Sequence, residues 1–203
     1  MTIRAALFDM DGTIWDSSID WLAVRREIGL PVDGRPIYVQ LMDLPSQERD
    51  RGIRILERHE ELGVKNGMLV PGTEELLQCL RDAHVKCALV TNNSRRSVER
   101  VLERNPLSFD VVLSRDDGAL KPDPQAFLTA LERLDVRPNE AIAIGDADLD
   151  LIASERAGIA EFILVGDKPW MSDLLPAGVP HHKAVDLVEA RAIVTRLLEP
   201  TRR

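Results

Sequence analysis

Short apolar runs alternate with amphipathic stretches over most of the chain. Ala5–Phe8, Val111–Leu113, 141–144 and 162–165 are brief and apolar throughout, and 85–90 is apolar but for Lys86, the pattern of strands buried on both faces. Between them the apolar positions recur at helical spacing: Leu76, Leu77, Leu80 and Ala83 after Pro71-Gly72-Thr73, Val98, Val101 and Leu102 in 94–104, and Phe127, Ala130, Leu131 and Leu134 in 124–134. A further helix over 149–157 stops at Gly158, and a last one begins at Asp186 with Glu189 three residues on, a capping-box arrangement. Thr73 is the expected N-cap of the helix that follows it. Strands alternating with helices predict an α/β fold, a doubly wound parallel sheet with both faces covered.

One interruption breaks this rhythm. From Ser18 to Met68 the chain is charged and shows helical patterns without strand-like alternation. A helix is expected over 20–28, with Trp21, Val24 and Ile28 on one side, ending before Gly29 and Pro31. A second starts at Ser46, carries Ile53, Leu56 and Leu62, and ends at Gly63. Between them, 31–45 is punctuated by proline and glycine and receives no element. The stretch reads as a small α-helical cap of residues 18–68 inserted after the first strand into a core made of 1–17 and 69–203, with Trp15 and Trp21 packing the hinge.

Composition narrows the function. The chain has 203 residues, 44% of them hydrophobic, enough for one sizeable core. Acidic residues outnumber basic ones 34 to 26, for a net charge of −8, and no Lys/Arg block is present, which argues against nucleic acid as a partner. No apolar run approaches the roughly 18 residues of a membrane span, and residues 1–7 do not resemble a secretion signal, so no membrane partner and a cytoplasmic location are expected. Cys79 and Cys87 lack metal-ligand spacing and read as reduced thiols. Oligomeric state is not legible.

The chemistry collects at the carboxyl ends of the predicted strands. Asp9 and Asp11 follow the first strand, one residue apart. Two carboxylates about 4 Å apart repel by roughly 4 kcal/mol at an effective dielectric near 20, so buried together they need a cation or a proton. Taken alone the pair is also compatible with an Asx turn. The other strand ends supply Thr91-Asn92-Asn93-Ser94, Lys121-Pro122 and Gly145-Asp146-Ala147-Asp148-Leu149-Asp150. Several acids, a hydroxyl, a lysine and helix amino ends at one edge suit a divalent cation and a phosphoryl group. Met10 should point to the core. His181 and His182 read as solvent-facing loop residues in a loop-like stretch over 167–182. His59, Arg25, Arg26, Arg49 and Arg51 read as a solvated helix face, with the alternative that one of them contacts a leaving group.

Asp9-Met10-Asp11-Gly12-Thr13, Thr91-Asn92, Lys121-Pro122-Asp123-Pro124 and Gly145-Asp146 through Asp150 stand in the order and spacing of the four motifs of the haloacid dehalogenase (HAD) superfamily. The chain resembles its phosphoglycolate-phosphatase-like members over about residues 3–17 and 70–166. The resemblance implies a Rossmann-like core and Mg²⁺-dependent hydrolysis of a small phosphorylated metabolite through an aspartyl phosphate on Asp9, with Asp11 as acid and base. It further implies Mg²⁺ on Asp9, the Asp11 carbonyl and Asp146, phosphoryl contacts from Thr91, Asn92 and Lys121, and Asp150 behind them in support. Ala147, Asn93 and Trp15 depart from common family residues, and these departures bear on substrate contacts. Two alternatives stay open: a phosphomutase of the β-phosphoglucomutase type, and a regulatory or binding protein on the same fold.

Overall fold

The first strand, β1 (Ala5–Phe8), is apolar at every position because both of its faces are covered. Ala6 and Phe8 join one apolar cluster and Ala5 and Leu7 the other, on opposite sides of the sheet. The computed structural model describes residues 2–166 and 180–199.

After β1 the chain makes the two-residue strand β2 (Trp15–Asp16) and three helices, α1 (Trp21–Ile28), α2 (Ile37–Met42) and α3 (Ser46–Asn66). It returns through β3 (Met68–Leu69) to α4 (Thr73–Asp82), β4 (Lys86–Val90), α5 (Arg95–Arg104), β5 (Val111–Leu113), α6 (Gln125–Leu134), β6 (Ala141–Gly145), α7 (Asp148–Ala157) and β7 (Glu161–Val165). Among the described residues it closes with β8 (His182–Ala184) and α8 (Leu187–Leu198). The main sheet is parallel throughout, in the order β5-β4-β1-β6-β7-β8. Apolar residues of α4, α5 and α8 cover one face and those of α6 and α7 the other, as the doubly wound expectation requires. Strand order reverses at β1, so the carboxyl ends of β4, β1 and β6 border the crevice where such sheets bind ligands.

Residues 18–66 carry their own apolar cluster of Val24, Ile37, Leu41 and Leu56. Both ends of this stretch meet in the antiparallel β2–β3 pair, Trp15 opposite Leu69 and Asp16 opposite Met68. Several local expectations are corrected here. Helix α2 forms in the stretch given no element; it is too short to leave a periodic signature. Helix α3 has no side-chain cap bond at its start and runs through Gly63 to Asn66. Gly63 is there for close approach: a Cβ would stand 2.7 Å from Ile19 Cδ1 and 2.9 Å from Ser17 Cβ. Its carbonyl accepts a bond from Trp15 Nε1 at 3.2 Å, which ties buried Trp15 to the insert. Arg104 of α5 donates to the Val64 and Gly67 carbonyls at the end of α3 and lies 5.1 Å from the Trp15 ring centre. Those carbonyls belong to the last turn, where helix acceptors lack helical partners.

Gly72, in the left-handed region, occupies the cap position expected of Thr73, and the Thr73 hydroxyl donates to Val70 O at 2.7 Å. Asp186 does cap α8, accepting from Glu189 N at 2.9 Å, while the Glu189 carboxylate binds Val185 N at 2.8 Å, one residue outside the expected box. His182 begins β8 and meets Glu161 at 3.0 Å, so it is a strand residue. Residues 167–179 of the expected loop lie outside the described residues. Arg25 bonds the Arg35 and Pro31 carbonyls and Gln40 Oε1 within the insert, at 2.6, 3.2 and 3.1 Å, and therefore does not belong to a solvated face. Cys79 and Cys87 are both free.

Candidate active site

The carboxyl ends of β1, β4 and β6, with the loop after β5, bring Asp9, Asp11, Thr91, Asn92, Lys121, Asp146 and Asp150 to one edge. Asp9 directly follows β1 and is 8% exposed; Lys121, Asp146 and Asp150 are 2%, 6% and 2% exposed. Such burial of charge is tolerable only with close partners. Lys121 Nζ lies 2.5 Å from Asp9 Oδ1 and 2.6 Å from Asp150 Oδ1. Asp150 Oδ2 accepts from Ala147 N at 3.1 Å, so both of its oxygens are engaged in holding neighbours.

Burial pushes the Asp9 carboxyl up to about 7, with Lys121 opposing the shift and Asp150 and Asp146 adding to it. Lys121 is raised, because the attraction of Asp150 and Asp9 outweighs its own burial. Burial also lifts Asp11 to about 7, against hydrogen bonds from Ser17 and Asn93. Asp9, Asp146 and Asp150 each offer a ligand oxygen within 4.8 Å of the others. Three carboxylates against one ammonium leave an excess of two negative charges, the charge a divalent cation cancels. The donors are all oxygen, as a hard cation such as Mg²⁺ requires. Among the described residues Asp11 Oδ1 is buried without a hydrogen-bond partner, a buried acceptor that calls for a further group. Gly12, with φ +80°, packs so closely on Asp146 that a Cβ would overlap its carboxylate. The turn residue of the first motif thus lets the ends of β1 and β6 touch.

Met10 is buried in the core, as expected. Thr91 is buried and its hydroxyl accepts from Asn93 N at 3.2 Å, while Ser94 caps α5 through Ser97 N at 3.3 Å. Asn92 has a task that its sequence position does not announce: its amide donates to Lys121 O at 2.9 Å and accepts from Lys121 N at 3.0 Å, zipping the second and third motif loops together. The Lys121–Pro122 peptide is cis. Asn93 is buried and donates to Asp11 Oδ2 at 3.4 Å. Sequence reasoning also missed Glu60 and Arg115, a buried pair beside Ser94. A signal was present: Glu60 occupies the apolar stripe of α3 between Leu56 and Val64, and a charge at such a position announces a buried partner.

A family model described as haloacid dehalogenase-like hydrolase matches residues 3–158. The phosphoglycolate phosphatase of Xanthomonas campestris is 30% identical, covering 85% of this chain and 91% of that protein. The phosphorylated carbohydrates phosphatase of Thermotoga maritima is 28% identical, over 97% of this chain and 99% of that protein. The solved structure of a hydrolase from Pseudomonas syringae has the same fold, with a TM-score of 0.76 at 19% identity, covering 97% of this chain and 100% of that one.

Proposed function

This chain belongs to the haloacid dehalogenase-like hydrolase family, and on that premise we propose that it is a Mg²⁺-dependent phosphatase of a small phosphorylated metabolite, working through an aspartyl phosphate on Asp9. The observation that carries this reading is the buried Asp9–Lys121–Asp150 chain of contacts with Asp146 and Asp11 beside it, at the reversal of strand order. The similar phosphatases of Xanthomonas campestris and Thermotoga maritima support it, and the substrates in their names, phosphoglycolate and phosphorylated carbohydrates, are the first to try.

In the proposed reaction, an Asp9 carboxylate oxygen attacks phosphorus, the ester P–O bond breaks, and the leaving oxygen takes the proton of Asp11. Water then attacks the phosphorus of the acyl phosphate, Asp11 takes back a proton, and phosphate leaves with Asp9 regenerated. A carboxyl held near 7 suits this two-way traffic at neutral pH. Lys121 favours the ionised form of Asp9, orients it and offers its charge to the phosphoryl oxygens, while Thr91 donates to one of them. Asp150 holds Lys121 in place. Mg²⁺, held by the Asp9 and Asp146 carboxylates and the Asp11 carbonyl, would supply the charge neutralisation that lets two anions meet.

Residues 18–68 are proposed as the cap over this edge, supported by their separate apolar cluster and by the β2–β3 pair at their base. Hydrolysis of p-nitrophenyl phosphate and of a panel of phosphorylated metabolites with and without Mg²⁺ tests the reading, with Asp9→Ala as control. Mg²⁺-dependent phosphate release that Asp9→Ala abolishes is expected. No turnover above that control across the panel overturns it.

A further inference from the structure

Glu60 of α3 and Arg115, just past β5, form an ion pair sealed from water, at 2% and 6% exposure. Arg115 Nη1 lies 2.5 Å from Glu60 Oε1, and Nη2 donates to Oε2 at 3.3 Å. The Ser94 and Ser97 hydroxyls add bonds to Oε2 at 2.7 and 3.3 Å. The Tyr38 ring of α2 stacks 4.7 Å from the guanidinium carbon. The insert thus grips the core through Arg115 as well as through Arg104 at the end of α3.

Arg115 also holds the loop that carries the second motif. Its backbone N–H donates to Asn93 O at 2.9 Å, and Nη1 reaches Asn92 O at 3.5 Å. Asn93 in turn bonds Asp11, and Asn92 is zipped to Lys121. A continuous chain of contacts therefore runs from α3 to two groups at the heart of the proposed site. Buried ion pairs are a poor device for stability, since apolar residues of similar volume commonly do as well. A pair placed at this junction calls for another explanation.

We infer that Glu60 and Arg115 are positioning residues: their pair sets the Asn92–Asn93 loop, and through it Lys121 and Asp11, in the reactive arrangement only while α3 is docked on the core. The inference rests on the phosphatase reading for its kinetic effect, while the geometry of the loop can be read without turnover. The removal of either partner alone strands a buried charge, so the double variant Glu60→Leu/Arg115→Met is the discriminating protein.

Hydrogen exchange, thermal unfolding and steady-state kinetics on the full chain test it. The double variant is expected to melt within a few degrees of the wild type, to exchange faster at residues 91–94 and 120–121, and to lose kcat on the order of 100-fold with KM changed by less than about threefold. Arg115→Ala should regain part of its kcat on addition of guanidinium but not of sodium chloride at equal ionic strength. Unchanged exchange at 91–94 in the double variant overturns the inference. So does unchanged kcat. A wild type without turnover in the metabolite panel overturns the phosphatase reading instead, and the exchange measurement then decides the positioning role by itself.

Discussion

Lys121 stands between the carboxylates of Asp9 and Asp150, at 2.5 and 2.6 Å, so its place is set by charge on both sides. Lys121→Met should lower turnover about 100- to 1,000-fold, the usual loss when one group that stabilises developing charge is removed. The variant should also gain more thermal stability from Mg²⁺ than the wild type does, because its three acids are left without an internal cation; a thermal-shift titration checks this. Asp11→Asn separates proton transfer from metal holding. It is expected to bind Mg²⁺ with affinity close to wild type, measured by calorimetry, while losing about 100- to 10,000-fold in turnover. An unchanged rate would remove Asp11 from the chemistry. The residues at strand ends were legible in the sequence because their chemical types are out of place beside apolar runs. The side-chain tasks of Asn92 and Asn93 were not, since a hydrogen bond to Lys121 or Asp11 depends on loops that meet only in the folded chain.

At the scale of elements, long periodic helices and buried strands were readable with small shifts at their ends, and short pieces were not. The strands β2 and β3 have two residues each, and α2 has six, too few for any period to show. Gly63 illustrates how a local rule gives way to packing: glycine is a common helix terminator, but here the helix continues for another turn with Trp15, Ser17 and Ile19 against it. Gly63→Val would press a side chain into that contact. Overpacking of this kind costs about 1 to 3 kcal/mol, which should appear as a lower midpoint in urea with an unchanged slope. Turnover should fall as well, because the end of α3 would be pushed off Trp15 and Arg104.

At the scale of the whole molecule, no described helix is long and apolar enough to cross a membrane. The alternation of elements predicted the covered parallel sheet, but strand order and the separate small cluster of the insert emerge only from long-range pairing. The site's charge links to global stability. Asp9 and Asp11 are raised from 3.8 to about 7 in the folded chain, so between those values the folded state holds protons that the unfolded state has released. Without Mg²⁺, stability contributed by these groups should therefore fall as pH rises from about 4 to 7. Mg²⁺ binds the ionised acids, so the rise in melting temperature that it produces should be larger at pH 8 than at pH 5.5. An equal rise at both values would mean that these carboxyls are already ionised at the lower pH.

The central position of β1 also has a consequence for how the molecule comes into being. Ala5 pairs with Lys86 on one side and Ala141 on the other, so during synthesis β1 waits for partners from much further along the chain. Helices α1 to α3 can form from neighbours in sequence meanwhile, while contacts of such long separation are slow to close. Until both β4 and β6 have been made, the strand that leads into Asp9 lacks a neighbour, and a newly made chain has no complete site.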